Sequence, residues 1–224
     1  MVYETERVMY NTVIFDLDGT LLNTLEDLAD SVNYVQRKYG YAEDSIDTVR
    51  MNVGNGIRNL MKRSIPDGDK NPLFEETFQT FKTYYQAHCQ DKTKAYPGIM
   101  ELLAELHKRG IKMAIVSNKA HAAVEELNQI YFKDYISIAI GENEDDGIKK
   151  KPAPDMVHMA LDKLGSKAEK SVYVGDSDVD KATADNSGLD CVLCRWGFRN
   201  LELLQSLEPK AIIEKPQELI KILY

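Results

Sequence analysis

The stretch Val13-Ile14-Phe15-Asp16-Leu17-Asp18-Gly19-Thr20-Leu21-Leu22 runs from an apolar strand into two carboxylates two positions apart and then a Gly-Thr turn. An apolar strand without alternation is covered on both faces, which points to a parallel sheet sandwiched by helices. Open sheets of that kind place ligands at the carboxyl ends of their strands. In a strand, residues i and i+2 face the same way, so both acids would stand at such an end. Crowded acids repel and perturb each other's protonation, which makes the pair costly unless a cation or a reaction uses it. A solvated Asp-Gly turn closing the strand is the plain alternative.

The rest of the chain follows the same rhythm. Apolar runs at Thr12–Phe15, Lys112–Val116, Ile136–Ile140, Ser171–Val174, Asp190–Leu193 and Ala211–Ile213 read as strands. Segments of helical period separate them. Ile99, Leu102, Leu103 and Leu106 make one stripe after Pro97-Gly98, and Met156, Ala160, Leu161 and Leu164 make another after Pro154. Pro216 to Leu223 reads as a short closing helix. Alternating strands and helices predict an α/β fold, a three-layer Rossmann-like core with a mostly parallel sheet.

Between about Leu25 and Lys94 the rhythm fails and the pattern is helical throughout. Leu25, Leu28, Ala29 and Val32 form one stripe, and Phe74, Phe78 and Phe81 begin another before Tyr84 and Tyr85. So long a stretch without a strand is too much for a loop in a compact domain, so an inserted all-helical subdomain is expected. The boundaries predicted are a core of residues 1–22 and 96–224 and a helical unit of 23–95, with hinges near Leu22–Leu25 and Ala95–Gly98.

Three more motifs follow the first. Val116-Ser117-Asn118 closes the second core strand; Lys151 stands in Lys151-Pro152-Ala153-Pro154; Val174-Gly175-Asp176-Ser177-Asp178-Val179-Asp180 ends a later strand in clustered acid. Taken in order, the four resemble the motifs of the haloacid dehalogenase superfamily of aspartate-nucleophile hydrolases: DxDGT, a Ser or Thr ending a strand, a lysine before a helix, and GDxxxD. The resemblance spans about Asn11 to about Trp196. It implies that the helical insertion is a cap closing over the active site. Val53-Gly54-Asn55-Gly56-Ile57-Arg58 within it resembles the cap loop of phosphoglycolate phosphatases, implying that Gly54, Asn55, Gly56 and Arg58 bind substrate. A helix-connecting turn with a surface arginine is the alternative there. Asn23 departs from the pattern, since many relatives carry Asp at the hinge.

A carboxylate can attack phosphorus and split a slow hydrolysis into two displacements through an aspartyl-phosphate. The charge of a phosphate must be neutralised for that, which suits Mg²⁺ held by one or two carboxylates with substrate oxygens. Asp16 and Asp176 are the carboxylates expected to hold it. The resemblance implies that the backbone carbonyl of Asp18 is a further ligand, and the GDxxxD spacing selects Asp180 to support the metal, with Asp178 as the rival. Lys151 is expected to neutralise nucleophile and phosphate, and Ser117 to donate to a phosphoryl oxygen. The Leu17 and Asn118 amides would complete the phosphate cradle. By resemblance, Asp18 protonates the leaving alcohol and then activates water. Ser117 as an ordinary helix N-cap, and Lys151 as one of a solvated lysine run, are the competing readings.

Composition narrows the classes. A net charge of −8 disfavours a nucleic-acid or anionic-membrane partner. No apolar run reaches membrane-spanning length, and Met1 to Tyr10 lacks a basic start and an apolar run, so a cytoplasmic protein is expected. Cys89, Cys191 and Cys194 are too few for a disulfide framework, and Cys191 and Cys194 read as core residues. His88, His107, His121 and His158 stand singly with no ligand spacing. The expectation is an Mg²⁺-dependent phosphomonoester hydrolase, monomer or homodimer, acting on a small phosphate such as 2-phosphoglycolate. A phosphosugar mutase, a pyrophosphatase or nucleotidase, and a non-catalytic phosphate-binding protein are the alternatives. Dehalogenation is disfavoured, because it needs neither Asp18 nor a metal-binding acidic motif.

Overall fold

The computed structural model describes residues 9–143 and 147–224; residues 1–8 of the N-terminal segment lie outside the described residues. The chain divides into two compact units, one comprising the segment up to Leu21 with Tyr96–Tyr224, the other Leu22–Ala95.

The first unit is built on strands β1 (Thr12–Phe15), β4 (Lys112–Ala120), β5 (Ile138–Glu142), β6 (Ser171–Gly175), β7 (Asp190–Cys194) and β8 (Ala211–Ile213). They form one sheet in the order β5-β4-β1-β6-β7-β8, every neighbouring pair parallel. Numbered within this unit alone the order is 3-2-1-4-5-6, the doubly wound Rossmann arrangement, whose direction of winding reverses beside the first strand. Helices α5 (Ile99–Lys108), α6 (His121–Tyr131), α7 (Asp155–Leu164), α8 (Asp178–Ser187), α9 (Leu201–Ser206) and α10 (Glu218–Leu223) connect the strands and complete the unit. Ile14, Ala114, Val116, Tyr173 and Leu193 pack with Met156, Val157, Ala160 and Ala184 in one buried cluster. All four β1 residues are buried, as the absence of alternation requires.

Four strands depart from their expected limits, β6 and β7 by one residue each, running on to Gly175 and Cys194. β4 continues past Val116 to Ala120, with its pairing to β5 shifted between Ser117 and Ala120. β5 starts at Ile138, because the Ile136 amide donates to Phe132 and its carbonyl accepts from the Asn128 side chain, closing the turn after α6.

The second unit holds α1 (Leu25–Lys38), α2 (Ile46–Asn52), α3 (Ile57–Ser64) and α4 (Phe74–His88). Its own core includes Val32, Val35, Val49, Leu60, Met61 and Phe81, each essentially without solvent exposure. The expected stripes are the buried faces of α1 and α4. At its ends, β2 (Leu22–Asn23) and β3 (Lys94–Ala95) pair antiparallel. Buried Asp27, in the first turn of α1, accepts from the Lys92 and Thr93 amides and the Thr93 hydroxyl, which fastens the returning segment to α1.

Candidate active site

The reversal of winding beside β1 brings three chain segments together. Asp16 follows β1 and continues its ladder, its amide donating to the Val174 carbonyl at 2.9 Å. The chain then turns, the Thr20 and Leu21 amides donating back to the Leu17 carbonyl. Gly19 sits in that turn at φ +86°, and a Cβ there would lie 2.5 Å from Asp176 Oδ2, so both its conformation and its closeness to Asp176 require glycine. Asp176 follows β6. Carboxylate oxygens of Asp16, Asp176 and Asp180 all lie within 4.8 Å of one another, and all three residues are buried.

Lys151 reaches this cluster from the segment before α7. Its Nζ lies 2.7 Å from Asp16 Oδ1 and 2.8 Å from Asp180 Oδ1, and 3.2 Å from the Tyr173 hydroxyl. Its backbone is gripped from β4: the Lys151 amide donates to Asn118 Oδ1 at 2.7 Å, and Asn118 Nδ2 donates to the Lys151 carbonyl at 3.0 Å. Lys151 is therefore set apart from Lys149 and Lys150 by its burial and partners. The Asn118 side chain is spent on holding it, which leaves only the Asn118 amide for the phosphate contact expected of that residue.

Ser117, 2% exposed, lies within β4. The following helix begins only at His121, capped by Ala120, so the competing N-cap reading of Ser117 falls. Its hydroxyl accepts from the Lys119 amide. Asp18 does not join the three carboxylates; its Oδ1 lies 3.4 Å from Lys119 Nζ.

Asp180 is engaged on both oxygens. Oδ1 takes Lys151 and the Tyr173 hydroxyl, while Oδ2 takes the Asp176 and Ser177 amides and the Ser177 hydroxyl. With Ser177 it forms the capping box that starts α8. A Cβ on Gly175 would meet the Asp180 side chain at 2.3 Å, which explains the glycine before Asp176. With its oxygens so occupied, Asp180 shapes the site by fixing Lys151 and the Asp176 turn. Asp178 lies outside the cluster and faces Arg199 Nε at 3.3 Å. The Phe198 amide donates to Asp176 Oδ2 at 2.6 Å, and Gly197 lies against the same side chain.

Burial, with Asp180 adding its charge against the pull of Lys151, pushes the Asp16 carboxyl up to about 7. Burial, then Asp180 and Asp16, raises Asp176 well above the carboxylate range. Burial also works to raise Asp180, but Lys151 and the donors from Ser177 and Asp176 outweigh it and hold that group below its ordinary value. Burial opposes the charge on Lys151, and Asp16 and Asp180 more than restore it. Three buried carboxylates thus face one ammonium. A hard divalent cation with a preference for oxygen ligands fits that imbalance.

Sequence reasoning passed over Lys119, Tyr173 and the Gly197-Phe198 segment. Lys119 stands two residues beyond Ser117 and was detectable once the strand was carried that far. Tyr173 was visible as a phenol within an apolar strand, three positions before Asp176. Nothing in the sequence marked the amide of Phe198.

In the helical unit, Gly54, Asn55 and Gly56 all adopt positive φ, of 134°, 59° and 85°, before α3. Gly54 and Asn55 accept through their carbonyls from Arg63 and Asn59. The Arg58 guanidinium is paired with both oxygens of Glu75 and lies 4.9 Å from the Phe74 and Phe78 ring centres, so a carboxylate of its own unit already meets its charge. The four histidines do not enter the site, and among the described residues the only group of three or more potential metal-ligating side chains is Asp16, Asp176 and Asp180. Cys191 and Cys194 are buried and free, as core residues of β7. No described helix is long and apolar enough to cross a membrane.

The family model for haloacid dehalogenase-like hydrolases matches residues 13–194. The chain belongs to that family. It is 31% identical over 212 residues to a phosphoglycolate phosphatase of Aquifex aeolicus, covering 94% of this chain and 95% of the relative. It is 32% identical to a phosphoglycolate phosphatase of Agrobacterium fabrum, covering 94% and 91%. Among solved structures, a protein of Lactobacillus delbrueckii subsp. bulgaricus ascribed to the phosphoglycolate phosphatases superposes with a TM-score of 0.90 at 33% identity, covering 96% of this chain and 98% of the other. Within the family, the likeness is to its phosphatases.

Proposed function

We propose that this chain is an Mg²⁺-dependent phosphomonoester hydrolase acting on a small cytoplasmic metabolite of the 2-phosphoglycolate kind through an aspartyl-phosphate on Asp16. The observation that carries the reading is the convergence of Asp16, Lys151 and Asp176 in one buried cluster at the carboxyl ends of β1 and β6. Likeness to named phosphoglycolate phosphatases over nearly the whole of both chains supports the substrate class.

An Asp16 oxygen attacks phosphorus as the ester P–O bond breaks, and the departing alkoxide takes a proton from the Asp18 carboxylic acid. Asp18, now ionised, removes a proton from the water that attacks phosphorus next; the bond to Asp16 breaks and phosphate leaves. Lys151 orients Asp16 and offsets the charge of the phosphoryl group, while Ser117 and the Leu17 and Asn118 amides donate to its oxygens. Asp16, Asp176 and the Asp18 carbonyl would hold Mg²⁺, whose chemistry is to neutralise nucleophile and phosphate so that two anions approach. Asp180 supports that arrangement through Lys151 and the Asp176 turn.

Substrate choice is assigned to the helical unit in the role of a cap, with Gly54, Asn55, Gly56 and Arg58 as its proposed substrate-binding residues. In that role Arg58 exchanges the Glu75 carboxylate for the substrate's.

The test is phosphate release from 2-phosphoglycolate and from p-nitrophenyl phosphate, with Mg²⁺ and with a chelator. Wild type releases phosphate only with the metal, and Asp16→Asn lowers turnover by at least about a thousandfold with an unchanged circular dichroism spectrum. Turnover near wild type in that variant overturns the nucleophile. A sugar phosphate isomerised without free phosphate would make the chain a mutase instead.

A further inference from the structure

Lys119 and Ser117 lie two apart on β4, the Lys119 amide donating to the Ser117 hydroxyl at 3.2 Å, while Asn118 between them is engaged with Lys151. The strand passes close against Gly141 of β5 there, where a Cβ would meet the Lys119 carbonyl at 2.5 Å. The Lys119 side chain is only 6% exposed, whereas Asp18, whose Oδ1 it approaches to 3.4 Å, is 22% exposed. A carboxyl group at the rim of a turn is free to swing unless something holds it, and Lys119 Nζ is placed to donate to Asp18 Oδ1. A group that must deliver a proton to one atom works only when held within hydrogen-bond reach of it.

We propose that Lys119 is a positioning residue that holds the Asp18 carboxyl group in line with the leaving-group oxygen. The inference rests on the reading of Asp18 as the acid that protonates the departing alkoxide. Proton delivery matters greatly for a basic alkoxide and little for p-nitrophenolate. Loss of Lys119 therefore acts according to the leaving group, which general damage to the fold would not do.

The experiment measures kcat/KM for p-nitrophenyl, phenyl and ethyl phosphate and 2-phosphoglycolate in wild type, Lys119→Met, Lys119→Gln, Lys119→Arg and Asp18→Asn, with circular dichroism on each. General acid catalysis contributes about 10²–10⁴-fold, so the neutral variants should lose at least roughly tenfold more on ethyl phosphate than on p-nitrophenyl phosphate. Lys119→Arg should recover most of the difference. Equal losses on all four substrates overturn the inference, as does a loss confined to 2-phosphoglycolate, which would make Lys119 a direct ligand of the carboxylate. If Asp18→Asn shows no dependence on the leaving group, the reading of Asp18 fails and the inference with it. If Asp18→Asn shows it and the Lys119 variants do not, only the role of Lys119 falls. Lys119→Gln keeps the test open should the methionine variant not fold.

Discussion

Asp16 and Asp176 are acids that the fold keeps away from water and close to another acid, which makes their response to pH the reverse of an ordinary salt-bridged carboxylate. Asp16 has an ordinary value of 3.8 and stands at about 7 in the folded chain. Through that window the folded state keeps a proton the unfolded state has released, so stability falls as pH rises. Asp176 shifts in the same direction. Asp180 is shifted down, so its contribution is present above its ordinary value and lost as pH falls through the folded one. Asp16 governs the range from about pH 4 to about pH 7, and Asp176 acts in the same direction. In a chelator, the thermal midpoint should drop across that range, and stabilisation by Mg²⁺ should grow across it, because the ion displaces protons. A midpoint that climbs toward about pH 7 without metal would mean that these acids are stabilised in their charged form.

β4 and α8 show two ways in which an element prepares a site. β4 runs on past its apolar part because its polar end is held from outside, by the Lys151 backbone on Asn118 and by Asp18 near Lys119. An apolar pattern stops at Val116 and has no means of reporting that. α8 begins where Ser177 and Asp180 cap each other, so the device that starts the helix also fixes the turn carrying Asp176. Ser177→Ala should cost about 1 kcal/mol, read from the urea midpoint. It should also weaken Mg²⁺ binding measured by calorimetry. Asp178→Asn should leave that affinity within about twofold of wild type, whereas Asp176→Asn should lower it by about 100-fold or more. A large loss in Asp178→Asn would return Asp178 to the metal site.

The two units each bury their own apolar core, and the chain leaves and re-enters the sheet unit at neighbouring points, where the Tyr96 amide donates to the Leu21 carbonyl at 3.1 Å. Insertions of this kind are tolerated because the host's ends already meet. Replacing Leu22–Ala95 with a short Gly-Ser linker should therefore leave a folded α/β unit that still hydrolyses p-nitrophenyl phosphate in Mg²⁺. Its preference for 2-phosphoglycolate, taken as the ratio of kcat/KM values, should collapse toward that of an unselective phosphatase. An unchanged ratio would move substrate selection into the sheet unit.

Periodicity and local chemistry were enough to read off the strands Thr12–Phe15 and Ala211–Ile213 at their observed limits, the helical insertion, and the carboxylates Asp16 and Asp176 at strand ends. Those properties are local: apolar runs fold as covered strands, and short acidic segments after them end up at one edge of a parallel sheet. Tertiary structure alone decided which charges meet. Lys151 faces Asp16 and Asp180, Lys119 faces Asp18, Asp178 faces Arg199 and Arg58 faces Glu75. The first three sets of partners are brought together by the order in which the strands assemble, a property of the sheet rather than of any segment within it, whereas Arg58 meets Glu75 through the packing of α3 on α4.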